Sequence, residues 1–310
     1  MPPITLTLAH SPDPDDTFMW WPLGDTGDVT GSPREPSIDT GPYRFTSVPA
    51  DIHELNVRAV EHADLDITAL SMYALSRVTD RYLLCSCGSS MGDGYGPKLV
   101  ARQPLSGGAA PAADLLRQAL PPTAVIAVPG ERTSAFLALR LLLGRDFGFE
   151  VLRFDLIAQA LADGRFDAGI VIHESQLTYQ SYGLHLLADL GAWWKSDTGL
   201  PLPLGANAIR ADLNDRCGPG SVRRIAALLR RSVDHALANR AAGLAVAKAS
   251  ALLDHAHATT DDEQTDRFVS MYVTDLTLDL GPVGRRAVEL FFARGQAQGL
   301  LTLPAPLRII

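Results

Sequence analysis

Cysteine, runs of positive charge and long apolar stretches are all scarce in this 310-residue chain. It has three cysteines, Cys85, Cys87 and Cys217. Cys85 and Cys87 alternate within the apolar run LLCSC, so they share one strand face and lie too close in sequence for an ordinary bridge. Their spacing matches no zinc pattern, which leaves buried free thiols as the expectation. Net charge is −8, and there is no Lys/Arg-rich run beyond short doublets such as Arg223–Arg224 and Arg230–Arg231. Those doublets fall on an amphipathic helix pattern, as a solvated face would, and this argues against a nucleic-acid partner. No segment approaches the roughly 20 apolar residues of a membrane span, and MPPITLTLAHSPD lacks the basic region and apolar length of an export signal. A cytoplasmic chain with no membrane partner is expected. Walker A, GxGxxG, GxSxG and HExxH patterns are missing, so nothing in the sequence asks for a nucleotide, flavin or metal, and no cofactor is expected.

What is present is a globular composition, 46% apolar and 20% charged, long enough for two domains or one bilobal one. Strand and helix patterns alternate. Ile4–Ala9, Tyr43–Val48, Asp66–Leu70, Tyr82–Ser86, Ala124–Val128, Glu150–Phe154 and Ala168–Ile172 read as strands, and Lys98–Arg102 is a further apolar run. Thr17–Leu23, Ile52–His62, Ser71–Val78, Asp114–Ala119, Ser134–Leu143 and Leu156–Ala162 read as helices between them. Gly24–Pro42 is rich in Gly, Pro, Asp, Ser and Thr and reads as a surface loop. Beyond Leu204 three helical patterns follow, Ser221–Leu253, Asp262–Tyr272 and Val283–Gln298. These late helices have no sheet of their own and must cover apolar faces made earlier. The expected fold is therefore α/β with two lobes, each a mostly parallel sheet flanked by helices. Residues 1–101 with 206–310 would form a first, discontinuous lobe and 102–205 an inserted second one, with a ligand cleft between them that closes by a hinge.

Four strand-to-helix corners are the candidate site: His10–Thr17, Ser71, Gly130–Ser134 and His173–Ser175. His173 is the first polar residue after an apolar strand, at the carboxyl end where open α/β sheets meet ligands, and imidazole titrates near neutrality. A histidine that merely caps the strand is the competing reading. Thr133 and Ser134 offer hydroxyls and backbone N–H groups at a helix start, which suits a carboxylate, although simple capping by Thr133 explains the same pattern. Ser71 reads equally as a cap. Asp13, Asp15 and Asp16 lie within four residues, between prolines and ahead of a helix; turn and cap roles fit them better than a calcium loop. The pair Trp193–Trp194 fits either a pocket wall or core packing.

Taken in order, the segments Ser11–Phe18 (SPDPDDTF), Gly94–Pro97 (GYGP), Pro129–Ala135 (PGERTSA), Ile170–Ser175 (IVIHES), Asp189–Trp194 (DLGAWW), Thr198–Gly205 (TGLPLPLG) and Tyr272–Gly284 (YVTDLTLDLGPVG) resemble the 1,4-dihydroxy-6-naphthoate synthase family. The resemblance spans nearly the whole chain, and IHES, DLGAWW and GLPLPLG are its specific part. It implies a type II periplasmic-binding-protein-like fold and a carbon–carbon lyase of the futalosine route to menaquinone. Such a lyase converts cyclic de-hypoxanthine futalosine to 1,4-dihydroxy-6-naphthoate without metal or organic cofactor. By the same resemblance His173 is the general base, and Ser71, Thr133, Ser134, Ser11, Asp15, Gly96 and Pro97 bind a small carboxylated substrate, in a monomer or homodimer. The family's Cys and Asn are Asp13 and Asp15 here. Unless those carboxylates turn outward, cap the helix or are neutralised, the substrate differs. Two other readings share the fold: chorismate dehydratase, and a cytoplasmic carboxylate-binding protein that does no chemistry.

Overall fold

The computed structural model describes residues 2–105, 113–173, 175–251 and 262–310. Its strands are β1 (Ile4–His10), β2 (Tyr43–Pro49), β3 (Ile67–Ser71), β4 (Tyr82–Leu84), β5 (Ser90–Gly92), β6 (Lys98–Ala101), β7 (Val125–Val128), β8 (Gly148–Val151), β9 (Ala168–Val171), β10 (His185–Asp189) and β11 (Leu202–Arg210). The chain divides into two units, one of residues 1–91, 205–285 and 302–310, the other of residues 92–204 and 286–301. The sequence placed the first crossing ten residues later and kept 286–301 in the first lobe. Two contacts explain the difference: β6 pairs with β9, and Phe291 packs edge-on against Trp194.

In the first unit the sheet runs β2-β1-β3-β11-β4, with β5 also paired to β11. β1 is parallel to β2 and β3, whereas β11 is antiparallel to β3 and β4. The alternation of ITLTLAH turns Leu6 and Leu8 into a core shared with Phe18, Phe45 and Ile67. The helix Ser221–Ala238 covers that core with Val222, Ile225, Leu229, Val233 and Ala236, a stripe at helical spacing. Burying each of its larger apolar side chains contributes about 1.5–3 kcal/mol. The other sheet face carries Ala9 and Ala69 against Leu55 of the helix Ile52–Val57. Every residue of β3 is thus buried, as expected of a strand covered on both sides.

The sheet of the second unit runs β10-β6-β9-β7-β8. β7 is parallel to β8 and β9, but β6 is antiparallel to β9 and β10. Both sheets are therefore mixed rather than mostly parallel. The reversed strand β6 lies just beyond the first point where the chain passes from one unit to the other, and β11 spans the second. They do not arrive through a βα crossover, which would have forced a parallel direction.

Other departures from the sequence reading are local. The first helix begins at Pro14 rather than Thr17 and continues as a 3-10 turn over Trp21–Leu23. Proline in the first helical turn loses no bond there. The helical pattern 221–253 breaks at Asn239 into Ser221–Ala238 and Arg240–Ala251, and residues 252 and 253 lie outside the described residues. No helix among the described residues is long and apolar enough to cross a membrane.

Candidate functional site

In the first unit the end of β1 leads into a buried polar turn. His10, Ser11, Asp13, Asp15 and Asp16 are all buried. His10 bonds through both ring nitrogens, Nδ1 to the Ser11 carbonyl and Nε2 to the Ser47 hydroxyl, each at 2.7 Å. A carbonyl only accepts, so Nδ1 carries a proton. Asp16 accepts from the Ser11 N–H and, like Asp13, lies 2.9 Å from the Ser11 hydroxyl oxygen. One hydroxyl hydrogen cannot serve two carboxylates, and the arrangement is fully satisfied only when a carboxyl keeps its proton. Burial raises the Asp16 carboxyl above its ordinary value, with His10 and the Ser11 bonds pulling it back down and Asp13 pushing it up. Asp13 occupies the cap position of the helix Pro14–Trp20 without a side-chain cap bond, so this turn serves Ser11 rather than the helix start.

Ser71 closes β3 in the same unit. Its side chain makes no cap bond. The amide of Asn56 grips it instead, taking the Ser71 N–H at 2.8 Å and donating to the hydroxyl at 3.0 Å. Asn56 is fully buried, on a helix fifteen residues earlier, and nothing in the sequence had singled it out.

The second unit carries the corner Gly130–Ser134 and the residue His173. Thr133 caps the ten-residue helix Ser134–Leu143, accepting from Phe136 N–H at 3.2 Å. Its hydroxyl hydrogen goes to Gly130 O at 2.8 Å, and that of Ser134 goes to Leu204 O at 2.6 Å. Both hydroxyl hydrogens are committed to the protein's own backbone. What this corner presents to an anion is the positive end of the helix and its first backbone N–H groups.

His173 follows β9 with φ +53°, a left-handed conformation for a residue that has a Cβ. Such a backbone costs roughly 1–2 kcal/mol, and the residue types that adopt it most readily include histidine. Its carbonyl accepts from Gln176 N–H at 3.1 Å, and its ring lies 4.4 Å from that of Phe154, centre to centre. The imidazole therefore packs on an aromatic ring while the turn fixes its backbone. Glu174, the next residue of the motif, lies outside the described residues.

Gly96 and Pro97 have a packing role. A methyl group on Gly191 would fall 1.8 Å from Tyr95 O, and one on Gly96 would fall 2.9 Å from Gly191 N. Pro97 O accepts from Leu190 N–H at 2.9 Å. The motifs GYGP and DLGAWW are thus two backbones pressed together. Asp189 caps the helix Leu190–Thr198 through Gly191 and Ala192 N–H and pairs with Lys98. Trp194, fully buried, donates to Pro201 O at 3.1 Å, which ties DLGAWW to GLPLPLG and settles Trp194 as core.

Two mixed sheets flanked by helices, with polar corners at strand ends, define an α/β protein of the periplasmic-binding type. The alkanesulfonate-binding protein SsuA from Xanthomonas axonopodis pv. citri shares this fold at TM-score 0.61 and 14% identity, covering 97% of this chain and 95% of its own. Protein AF1704 from Archaeoglobus fulgidus is more similar, with TM-score 0.79, 34% identity and coverage of 96% and 98%. The family model described as menaquinone biosynthesis matches residues 6–297, and the chain belongs to that family. It is 38% identical to the 1,4-dihydroxy-6-naphthoate synthase of Thermus thermophilus over 301 residues, 97% of each chain. It is 35% identical to the enzyme of that name from Streptomyces coelicolor over 307 residues, 97% of this chain and 96% of the relative.

Proposed function

We propose that the chain is a 1,4-dihydroxy-6-naphthoate synthase, a carbon–carbon lyase of the cytoplasm that acts on cyclic de-hypoxanthine futalosine. The full-length similarity to two synthases at 35–38% identity carries this reading. His173 acts as the base. Its imidazole, steadied by Phe154, removes a proton from the sugar-derived ring and so starts the cleavage. The substrate carboxylate binds at the start of the helix Ser134–Leu143, taken by backbone N–H groups and the helix dipole while the Thr133 and Ser134 hydroxyls hold the corner in shape. Ser71, Ser11, Asp15, Gly96 and Pro97 also bind the substrate. Burial raises the Asp16 carboxyl above its ordinary value and so favours its uncharged form in the acidic turn.

Purified protein incubated with cyclic de-hypoxanthine futalosine should release 1,4-dihydroxy-6-naphthoate, detected by chromatography and mass. Binding without product would make it a binding protein instead. His173→Gly and His173→Ala should each lower kcat by about 10²–10⁴. The glycine variant should also be the more stable of the two by about 1 kcal/mol, since glycine adopts φ +53° without strain. Normal turnover in either variant removes His173 from the mechanism.

A further inference from the structure

Most buried polar atoms of a folded protein have a hydrogen-bond partner, so a local group of atoms without one calls for a reason. In the first unit the side chains of Trp20, Ser89 and Asn207 are at least 98% buried. Trp20 Nε1, Ser89 Oγ and Asn207 Oδ1 nevertheless have no partner among the described residues. The residues that carry them meet at Gly88. Asn207 Nδ2 donates to Gly88 O at 2.7 Å, which fixes the amide and assigns Oδ1 to the opposite side. A methyl group on Gly88 would fall 2.8 Å from Asn207 Nδ2 and 2.9 Å from the Trp20 ring, and φ +79° is reserved for glycine. Ser89 is the next residue. Thr17 Oγ1, also buried and without a partner among the described residues, lies three residues before Trp20 on the same helix face.

The place is informative. Asn207 of β11 pairs with Ala69 of β3, two residues in from the Gly205–Ser71 pair at the carboxyl end of β3. Ligands of open α/β sheets meet the chain at that edge. The chemistry of the group is equally specific. Asn207 Oδ1 only accepts, Trp20 Nε1 only donates, and the Ser89 hydroxyl does either. A carboxylate would set its lone pairs against Oδ1. A hydroxyl satisfies both neighbours at once, donating to Oδ1 and accepting from Nε1.

We propose that Trp20, Ser89 and Asn207, gathered around Gly88, form a subsite that takes a neutral hydroxyl group of the substrate. Granting the synthase reading above, that hydroxyl belongs to the sugar-derived ring, and the subsite orients the ring while the carboxylate is held elsewhere. The groups lack partners among the described residues because their partner arrives with the substrate.

Ser89→Ala and Trp20→Phe test this with kcat/KM for cyclic de-hypoxanthine futalosine and Tm measured side by side. Ser89→Ala removes a group that bonds nothing in the free protein, so its Tm should match or exceed the wild type's while kcat/KM falls about tenfold. Trp20→Phe should lower kcat/KM to a similar degree. Variants with wild-type kcat/KM overturn the subsite alone. A lower Tm for Ser89→Ala with unchanged kcat/KM also overturns it, since the atoms would then be holding a structural water. A wild-type protein that converts nothing overturns the synthase reading, and the subsite falls with it.

Discussion

Ser11 shows how much one small residue decides. Its N–H and hydroxyl tie down Asp16 and Asp13, so the acidic residues that distinguish this turn are folded inward rather than spread as surface charge. The proton balance follows. Asp16 holds its proton above the ordinary 3.8 in the folded chain, chiefly because of burial. The folded state therefore binds more protons than the unfolded one in that window, and stability falls as pH rises from 3.8 through the raised value. Asp16→Asn cannot ionise and lacks this slope. Its Tm relative to wild type should climb as pH is raised from 3.8 toward neutrality, measured by thermal melts across that range. A constant or shrinking difference would show that Asp16 ionises without penalty. The sequence made His173, Thr133 and the acidic turn visible, because strand end, helix start and local charge are short-range signals. It did not show Asn56 gripping Ser71 or the Ser134 hydroxyl reaching Leu204, since those partners lie 15 and 70 residues apart. The orphan atoms around Gly88 were hidden for the same reason.

At the level of elements, helix starts were the most legible part of the fold. Asp51 caps through His53 N–H, and the helix Ser134–Leu143 begins and ends where the pattern placed it. Thr133→Ala removes a cap bond and the bond to Gly130 together, and should cost about 1–2 kcal/mol by chemical denaturation. If the helix start takes the substrate carboxylate as proposed, the same variant should raise KM more than it lowers kcat. An unchanged KM would detach the corner from substrate binding. Among the elements missed were strands β5, β10 and β11. The last of these, LPLGANAIR, contains Pro203, Gly205 and Asn207, residues poorly suited to strands in isolation. Its pairing with β3, β4 and β5 supplies what local propensity does not. Direction was also illegible for β6 and β11, because the βα rhythm speaks only for strands joined by a crossover.

On the scale of the molecule, neither unit is a continuous piece of chain. Residues 286–301 bring Phe291 and Arg294 onto Trp194, with an Arg294–Asp197 ion pair beside them, and set Leu301 against Gly295. A fragment of residues 92–204 should therefore melt without a cooperative transition, and joining 286–301 to it through a flexible linker should restore one, followed by tryptophan fluorescence. A cooperative melt of the short fragment would refute the claim. The two-lobed α/β architecture itself was readable from the strand–helix alternation and the sheetless tail. The second return of the chain was not, because an amphipathic helix does not announce which core it covers. This threading also bears on synthesis. When residue 204 has been made, the first unit still lacks most of β11 and the helices over its core, and the second lacks residues 286–301. At about 5–20 residues per second, both stay incomplete for roughly 5–20 s of further translation. During that interval the apolar faces of Leu6, Leu8 and Trp194 are uncovered on the ribosome, and the nascent chain is a client for whatever shields such surfaces.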